Sequence, residues 1–333
     1  GARSIGNDLR LEHEQAVLDA ASGIDFLRSR DFRNIVLIGN SGGSGLYSYY
    51  IQQATLPPGE RVAMAPTGKP TGFGTASMPA VDGMIYLAPH PGQGRLLLGC
   101  MDPSVADERD ALSVIPELDA FNRENGYRPE PGASRYSADF VERYRRAQRE
   151  RVARLDDLAR SLIGGRQAAR KQVKAGLAGR SEHLRAVHTP IMAVWRTDAD
   201  LRCLDLSLDP SDRAAGSVWS TDMLASNYGA VGFGRLCSPE SWLSTWSGIS
   251  SAASLEATAP SVKVRALLVE FTGDQTYFPS GIREIFEWIG SDRKEHIRVC
   301  GDHHGRPLAP GQEPGRSIAG RAIADWLKRQ SFA

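Results

Sequence analysis

Short apolar runs and amphipathic stretches alternate near both ends of this chain. The apolar runs have strand length, and a strand that is buried on both faces has this composition. They cover residues 34–38 (N-I-V-L-I), 84–88 (M-I-Y-L-A), 266–271 (A-L-L-V-E-F) and 296–300. The predicted helices that accompany them cover residues 11–29, 45–54, 282–289 and 319–329. This alternation predicts an α/β fold with a mostly parallel sheet and flanking helices.

The alternation stops between the second and the third predicted strand. Residues 139–162 form a long, arginine-rich helical stretch, which we expect three glycines (Gly164, Gly165 and Gly179) to break up. Residues 217–251 are rich in Trp, Tyr, Gly and Ser. We therefore expect one insertion between two sheet strands, which forms a mostly helical cap. The predicted boundaries are 1–100 and 261–333 for the core and 101–260 for the cap.

Composition excludes some classes of partner and changes little else. The 333 residues are 41% apolar and 24% charged, with a net charge of +1. These values are ordinary for a soluble globular protein and predict neither a nucleic-acid nor a membrane partner. The polar N-terminus is unlike a signal peptide. Four scattered cysteines predict reduced thiols in a cytoplasmic protein, with no zinc site or disulfide framework: Cys100, Cys203, Cys237 and Cys300.

The chemistry of the chain is concentrated first at residues 39–43, which read G-N-S-G-G and match G-x-S-x-G. A predicted buried strand precedes this turn and a predicted helix follows it, which is the context of a nucleophile elbow. The glycines are expected for steric reasons, since side chains there would collide with the neighbouring strand and helix. Ser41 is the predicted nucleophile. The N–H of Gly42, at the helix N-terminus, is the predicted oxyanion donor.

A glycine-rich turn that binds a phosphate is the alternative interpretation of this segment. Gly39, Gly42, Gly43 and Gly45 lie close together, as they would in a nucleotide-binding turn. The segment has no Walker lysine, however, and Ser41 stands where the G-x-G-x-x-G pattern needs a glycine. The spacing therefore favours the hydrolase interpretation.

A serine nucleophile needs a base and an acid that orients the base. Asp274 follows the third predicted strand, and His303 and His304 follow the fourth, in the chain order Ser, Asp, His. Only one of two neighbouring histidines can reach Ser41, and we favour His303 over His304. Asp302 is interpreted as a loop-capping residue. Glu270, within the third strand, is the alternative acid.

These residues together resemble the α/β-hydrolase superfamily. The resemblance rests on the elbow, on the loops that carry Asp274 and His303, and on the order of strands and helices around them. It implies hydrolysis through an acyl-enzyme, in which Ser41 attacks, His303 shuttles the proton and Asp274 holds the histidine tautomer. The G-N-S form of the elbow, with Asn40, also resembles the meta-cleavage-product hydrolases, which cleave carbon–carbon bonds.

The chain departs from this family before the elbow. Only 40 residues precede Ser41, and they contain no H-G-type oxyanion loop. Residues 3–8 are interpreted as a loop that leads into the first long helix. We therefore expect the N-terminal strands of the family's sheet to be missing from this chain, or the sheet to be reduced. A missing half would leave an exposed sheet edge.

Three functions are consistent with this sequence. The first is a carboxylic-ester hydrolase acting on small to medium apolar or aromatic substrates, and the second is a carbon–carbon bond hydrolase with the same residues. The third is a non-catalytic binding protein. No cofactor or metal is implied. A homo-oligomer is possible, and the sequence does not determine the oligomeric state. Candidates to line a substrate pocket are Asn40, His90, Trp195, Tyr228, Tyr277 and His304. A plain hydrogen-bonding role for His90, and a core role for the cap aromatics, are the alternatives.

Overall fold

The computed structural model describes residues 7–230 and 232–332. Four of its strands form one parallel sheet in the order β1-β2-β5-β6, and β3 pairs with β4 in a separate antiparallel ladder. The strands of the described residues are β1 (Val36–Asn40), β2 (Gly83–Leu87), β3 (Met192–Ala193), β4 (Leu236–Cys237), β5 (Arg265–Phe271) and β6 (Lys294–Val299). The predicted α/β class and its mostly parallel sheet are confirmed.

Helices account for most of the remaining regular structure in the described part of the chain. The α-helices are α1 (Asn7–Arg10), α2 (His13–Ser29), α3 (Gly43–Thr55), α4 (Gln93–Cys100), α5 (Ala138–Lys174), α6 (Arg180–Val187), α7 (Leu201–Leu204), α8 (Met223–Tyr228), α9 (Pro239–Ser241), α10 (Leu255–Thr258), α11 (Pro279–Trp288) and α12 (Gly315–Arg329). Short 3-10 turns cover Pro58–Glu60, Pro116–Leu118, Arg123–Asn125 and Ala259–Ser261, and Trp242–Trp246 form a π-helical turn. None of the helices in residues 7–230 and 232–332 is both long and apolar enough to cross a membrane.

Helices cover both faces of the central strands. Ala266 and Leu268 of β5 pack in one apolar cluster with α2, α3 and α11, whereas Leu267 and Val269 pack in another with α12. Successive side chains of a strand point to opposite faces, so this alternation buries β5 on both sides. The side chain of Trp326 from α12 is 1% exposed on the second face. Helices therefore pack on both faces of the strands whose ends carry the predicted site.

Strand β1 differs from the expectation of a strand buried on both faces. It lies at the edge of the sheet among the described residues, and Ile38 is 47% exposed. The strand also starts two residues later than predicted, at Val36, and runs to Asn40. The reason is positional, since an edge strand has a neighbour on one side only. The predicted loop over residues 3–8 lies partly outside the described residues, and where it is described, Asn7–Arg10 form a helix instead.

Helix α5 corrects a second expectation, because it runs through two of the glycines that were predicted to break it. Gly164 and Gly165 are both exposed, and a side chain at either position would meet nothing within 4 Å. Two interior glycines cost a helix about 2 kcal/mol. Ile163 and Ala169, on either side of them, stay buried. Burial of an isoleucine side chain alone contributes about 1.5–3 kcal/mol, which is comparable to that cost. Only Gly179 marks a boundary, as the N-cap of α6.

The segment between α4 and β5 has its own apolar cluster. Trp242 and Trp246 are buried there against Val152 and Leu155 of α5, so these two aromatic residues belong to a core. Near the end of the predicted insertion, Leu255 packs instead into the cluster of α2 and α3. The assignment of residues 101–260 as a cap stays a prediction.

Candidate active site

The turn between β1 and α3 places Ser41 in an unusual backbone conformation. Its φ is +52°, in the left-handed region, and its N–H donates to the carbonyl oxygen of Leu87 on β2 at 2.9 Å. A Cβ at Gly39 would lie 2.7 Å from the backbone of Ser44, so only glycine fits there. Backbone strain of this kind costs about 1–3 kcal/mol and persists only where the surroundings enforce it. The tight turn projects the Ser41 hydroxyl from the carboxyl edge of the sheet.

Not every glycine of the elbow is there for the predicted steric reason. A Cβ at Gly42 would lie 2.7 Å from the side chain of Gln93, whereas a Cβ at Gly43 would meet nothing within 4 Å. Gly43 is the first residue of α3 and faces open space. The collision predicted from the sequence therefore holds for Gly39, where backbone atoms are in the way. At Gly42 only the end of a flexible side chain would have to shift, and at Gly43 the prediction is wrong.

Three of the predicted residues meet at this edge of the sheet. The Oγ of Ser41 lies 3.1 Å from Nε2 of His303, and Nδ1 of His303 lies 2.8 Å from Oδ2 of Asp274. Asp274 follows β5 and His303 follows β6. Because the strands are parallel, their carboxyl ends lie at one edge, which is where ligands bind in open α/β sheets. A continuous hydrogen-bonded chain therefore links the carboxylate to the serine hydroxyl.

Thr276 also belongs to this series of hydrogen bonds, and the sequence analysis did not identify it. Its backbone N–H and its hydroxyl both approach Oδ1 of Asp274 at 2.6 Å, and Oγ1 lies 2.8 Å from Nδ1 of His303. The available signal was the spacing, since a residue two positions after an aspartate commonly donates its N–H to that carboxylate. Thr276 fixes the orientation of the carboxylate against the imidazole.

The tautomer of His303 follows from these contacts. An ionised Asp274 can only accept hydrogen bonds, and the single hydroxyl proton of Thr276 is directed to Asp274. Nδ1 of His303 must therefore carry a proton and donate it to Oδ2 of Asp274. When the ring is neutral, Nε2 then presents a lone pair to the Ser41 hydroxyl. This is the arrangement that a general base requires.

Burial and charge act in opposite directions on this pair. Burial alone would raise the pKa of Asp274, but His303 and the hydrogen bonds from Thr276 outweigh it and hold that pKa below its ordinary value. Burial alone would lower the pKa of His303, but Asp274 outweighs it and raises that pKa. The two groups stabilise each other's charged forms. Asp274 is thus ionised at neutral pH.

The raised pKa of His303 predicts how activity depends on pH. A general base must be neutral, so we expect kcat/KM to fall as the pH drops through the pKa of His303. Since that pKa lies above its ordinary value of 6.5, the midpoint of this one-proton limb should lie above pH 6.5. A pH profile of aryl-ester hydrolysis from pH 5 to 9 measures it. A midpoint well below 6.5 would contradict the assignment of His303 as the base.

The remaining acid and base candidates lie elsewhere. His304 is exposed, and its ring contacts that of His303 edge to face with centroids 5.2 Å apart. Asp302 accepts the backbone N–H groups of His304 and Arg306, so it caps the loop. Glu270 pairs with two residues of β6, His296 and Arg298, rather than with His303. Of the two neighbouring histidines, it is His303 that contacts Ser41.

The backbone at Gly42 offers a hydrogen-bond donor next to Ser41. Gly42 is the N-cap of α3, and within the described residues its N–H donates to no acceptor. N–H groups at a helix start point away from the helix body, and the helix dipole adds partial positive charge there. An oxyanion formed at the Ser41 hydroxyl is the kind of group that such a donor stabilises.

A cavity of about 270 Å³ opens next to His303 and Asn40, on the side of α12. Polar and apolar residues share its wall, and two of the predicted lining residues, Asn40 and His304, are among the polar ones. The other lining residues are Leu87, Phe271, His303, Arg316, Ala319, Gly320 and Ile323. The cavity borders Asn40, which precedes Ser41 in the chain, and His303, which hydrogen-bonds to it, and it has room for a small group there.

The other four predicted lining residues do not border this cavity. His90 is fully buried, and burial lowers its pKa to about 3, so its ring is neutral. Its Nδ1 accepts the N–H of Gly92, in keeping with a hydrogen-bonding role. Tyr277 lines a larger cavity between α4, α5 and α11.

The other two of these four, both assigned to the predicted cap, lie between α4 and β5. The hydroxyl of Tyr228 accepts a hydrogen bond from Arg196 at 2.6 Å, and its ring is partly exposed. Trp195 is half-buried, and its carbonyl accepts a hydrogen bond from Arg151. Contact of either with a substrate stays a prediction.

The part of the chain that the structure describes contains no group of three or more His, Cys, Asp or Glu side chains suited to a metal ion. The residues brought together at Ser41 are a serine, an imidazole and a carboxylate, whose hydrogen-bonded arrangement suits proton transfer.

Comparison with known proteins gives similarity at the level of solved structures. No protein-family model matches the chain, and no curated protein sequence matches it. It is similar to the crystal structure of the Paleococcus ferrophilus monoacylglycerol lipase, at 14% identity over 97% of this chain and 77% of the lipase, with a TM-score of 0.39. It is also similar to BpoC from Mycobacterium tuberculosis H37Rv, assigned as a non-heme bromoperoxidase, at 12% identity over 99% of this chain and 78% of BpoC, with a TM-score of 0.37.

Proposed function

We propose that this protein is a serine hydrolase that cleaves carboxylic esters through an acyl-enzyme. The observation that supports it most is the hydrogen-bonded chain from Asp274 through His303 to Ser41. Each member has the chemistry that its position needs, namely an ionised acceptor, a ring with the required tautomer and a partly exposed hydroxyl on a strained turn. An isolated serine is a weak nucleophile, and such a base activates it.

In the acylation step, Oγ of Ser41 forms a bond to the ester carbonyl carbon, and Nε2 of His303 takes the hydroxyl proton. The electron pair of the carbonyl moves to its oxygen, which becomes an oxyanion near the N–H of Gly42. His303 is then an imidazolium, which Asp274 stabilises at 2.8 Å. When the oxyanion collapses, the bond to the alkoxy group breaks, and that group leaves with the proton from Nε2.

Deacylation repeats these steps with water in place of the serine. Nε2 of His303 takes a proton from water, whose oxygen attacks the acyl carbon and forms a second oxyanion. The bond to Oγ of Ser41 then breaks, and the proton returns from Nε2 to Oγ. The carboxylic acid leaves and the free serine is restored.

The cavity that Asn40 and His303 border supports a small to medium apolar acyl or alcohol group as the substrate class. Its volume is about 270 Å³, and Leu87, Phe271 and Ile323 form the apolar part of a wall that polar side chains complete. Pockets of this kind bury apolar ligand atoms and use a few polar groups for orientation. Short-chain and aryl esters are the first compounds to assay.

The proposal is tested by two measurements on the wild-type protein. Hydrolysis of p-nitrophenyl acetate and butyrate should begin with a burst of p-nitrophenol close to the enzyme concentration, because acyl-enzyme accumulates. A fluorophosphonate should label the protein once, and mass spectrometry of the peptides should place the label on Ser41. Label on another residue, or turnover without any serine adduct, would contradict the proposal.

Two alternative functions have distinct outcomes in the same assays. Turnover of a vinylogous diketone with little ester turnover would favour the carbon–carbon bond hydrolase, for which the exposed Asn40 at the cavity is the relevant observation. A folded protein that neither turns over these substrates nor reacts with the fluorophosphonate would favour a binding protein.

A further inference from the structure

Two helix N-termini meet at the serine turn. Helix α3 begins at Gly43, directly after Ser41 and Gly42, and α4 begins at Gln93 with Gly92 as its N-cap. A Cβ at Gly45 would lie 3.2 Å from the Cα of Gly92, so the first turns of the two helices are in close contact. Both helix starts carry partial positive charge. The first residue of α4 therefore lies within reach of the elbow.

The side chain of Gln93 covers Gly42. A Cβ at Gly42 would lie 2.7 Å from both Cδ and Nε2 of Gln93, so the carboxamide fills the space next to the Gly42 Cα. In a helix the Cα–Cβ bond leans toward the N-terminus, and the unpaired N–H groups of the first turn point the same way. Gly42 has helical backbone angles, with φ −58° and ψ −22°. Nε2 of Gln93 and the N–H of Gly42 therefore lie at the same end of α3.

The two ends of this carboxamide differ in their surroundings. Oε1 of Gln93 is buried and has no hydrogen-bond partner within residues 7–230 and 232–332. Nε2 makes no hydrogen bond within those residues either, but it is not closed off from solvent. A donor that is unpaired, accessible and beside a second unpaired donor has the properties of an anion site.

We propose that Nε2 of Gln93 is the second oxyanion donor of this enzyme, acting together with the N–H of Gly42. The proposal rests on the proposed function, since it assigns a role in the same reaction. As Oγ of Ser41 bonds to the carbonyl carbon, the carbonyl oxygen gains the electron pair and accepts both N–H groups. Because this oxygen carries more negative charge in the transition state than in the bound ester, the added stabilisation is expressed in kcat.

The test compares Gln93→Leu and Gln93→Glu with the wild type in ester hydrolysis. Both substitutions keep the approximate size of the side chain and remove the donor, and the second adds an opposing charge. We expect kcat to fall by roughly 10²- to 10³-fold, which is typical for the loss of one oxyanion donor, while KM stays within roughly threefold. Gln172→Leu is the matched control, since Gln172 is exposed on α5. That variant should keep wild-type kcat.

A transition-state analogue gives a second readout that a merely structural residue would not change. An aryl trifluoromethyl ketone forms a hemiketal with a serine, and its oxygen then occupies the oxyanion site. The inhibition constant of this ketone should rise in both variants by about the same factor as kcat falls. Circular dichroism and thermal melting check the fold. If Gln93→Leu does not fold, Gln93→Glu, which matches the wild-type shape, decides the question.

Failure of this proposal can be told apart from failure of the proposed function. If ester hydrolysis depends on Ser41 but both Gln93 variants keep wild-type kcat and ketone affinity, Gln93 is not a donor and the hydrolase proposal stands. A higher KM with unchanged kcat would also overturn it, since Gln93 would then act in ground-state binding only. If the wild type forms no serine adduct, both proposals fail together.

Discussion

Replacing Ser41 by alanine is expected to reduce ester hydrolysis by roughly 10⁴- to 10⁶-fold while the protein keeps its fold. The hydroxyl is hydrogen-bonded to Nε2 of His303 at 3.1 Å, so its removal leaves the base without a nucleophile to activate. Steady-state assays with p-nitrophenyl butyrate measure the change, and fluorophosphonate labelling should disappear with it. Circular dichroism should be unchanged.

Ser22→Ala is the matched control for this substitution. Ser22 is exposed on α2, and its hydroxyl bonds only the carbonyl of Leu18. We expect its activity to equal that of the wild type. Hydrolysis that persists in folded Ser41→Ala would remove the elbow from the mechanism, and another nucleophile would then have to be found.

The second large effect is expected for Asp274→Asn, which should lower kcat by about 10⁴-fold; the magnitude is that of the corresponding change in trypsin-like proteases. Oδ2 of Asp274 accepts the Nδ1 proton of His303 at 2.8 Å. An asparagine amide can donate to Nδ1 instead, which moves the ring proton to Nε2. The ring would then present an N–H to the Ser41 hydroxyl and could not accept its proton. Steady-state kinetics at pH 8 measure the loss.

Glu270→Gln is the informative control, because Glu270 was the alternative acid. It lies on β5 and pairs with His296 and Arg298, so we expect kcat to change by less than roughly threefold, as for a residue outside the reaction. The opposite result, with loss in Glu270→Gln and retention in Asp274→Asn, would show that the acid had been wrongly assigned.

Much of the fold could be predicted because apolar runs and helical apolar stripes are visible in short segments of the sequence. The apolar runs that became β2 and β5 have the length of buried strands and are short for helices. The part of α5 before Gly164 has a continuous apolar stripe. Chain order then places Asp274 and His303 at the strand ends next to Ser41. This follows from parallel strands alone, since their carboxyl ends must meet at one edge.

Features that depend on neighbours in space could not be predicted in this way. The continuation of α5 through Gly164 and Gly165 is one, because it depends on tertiary burial of the helix on either side of the glycines, at Ile163 and Ala169. The exposure of Ile38 is another, since hydrophobicity says nothing about which strand lies at an edge. Thr276 was overlooked because its role exists only relative to the imidazole that it contacts.

The sequence by itself determined the elbow, the order of its partners and the class of fold, because turn geometry and hydrophobic periodicity are properties of short segments. Only the tertiary structure decided between His303 and His304, since neighbouring residues of an irregular loop point in different directions and spacing cannot tell which one contacts Ser41. The same holds for Gln93, which lies about 50 residues from Gly42 along the chain. The two are adjacent only because the first turns of α3 and α4 pack together, and contacts between distant segments are set by packing rather than by local pattern.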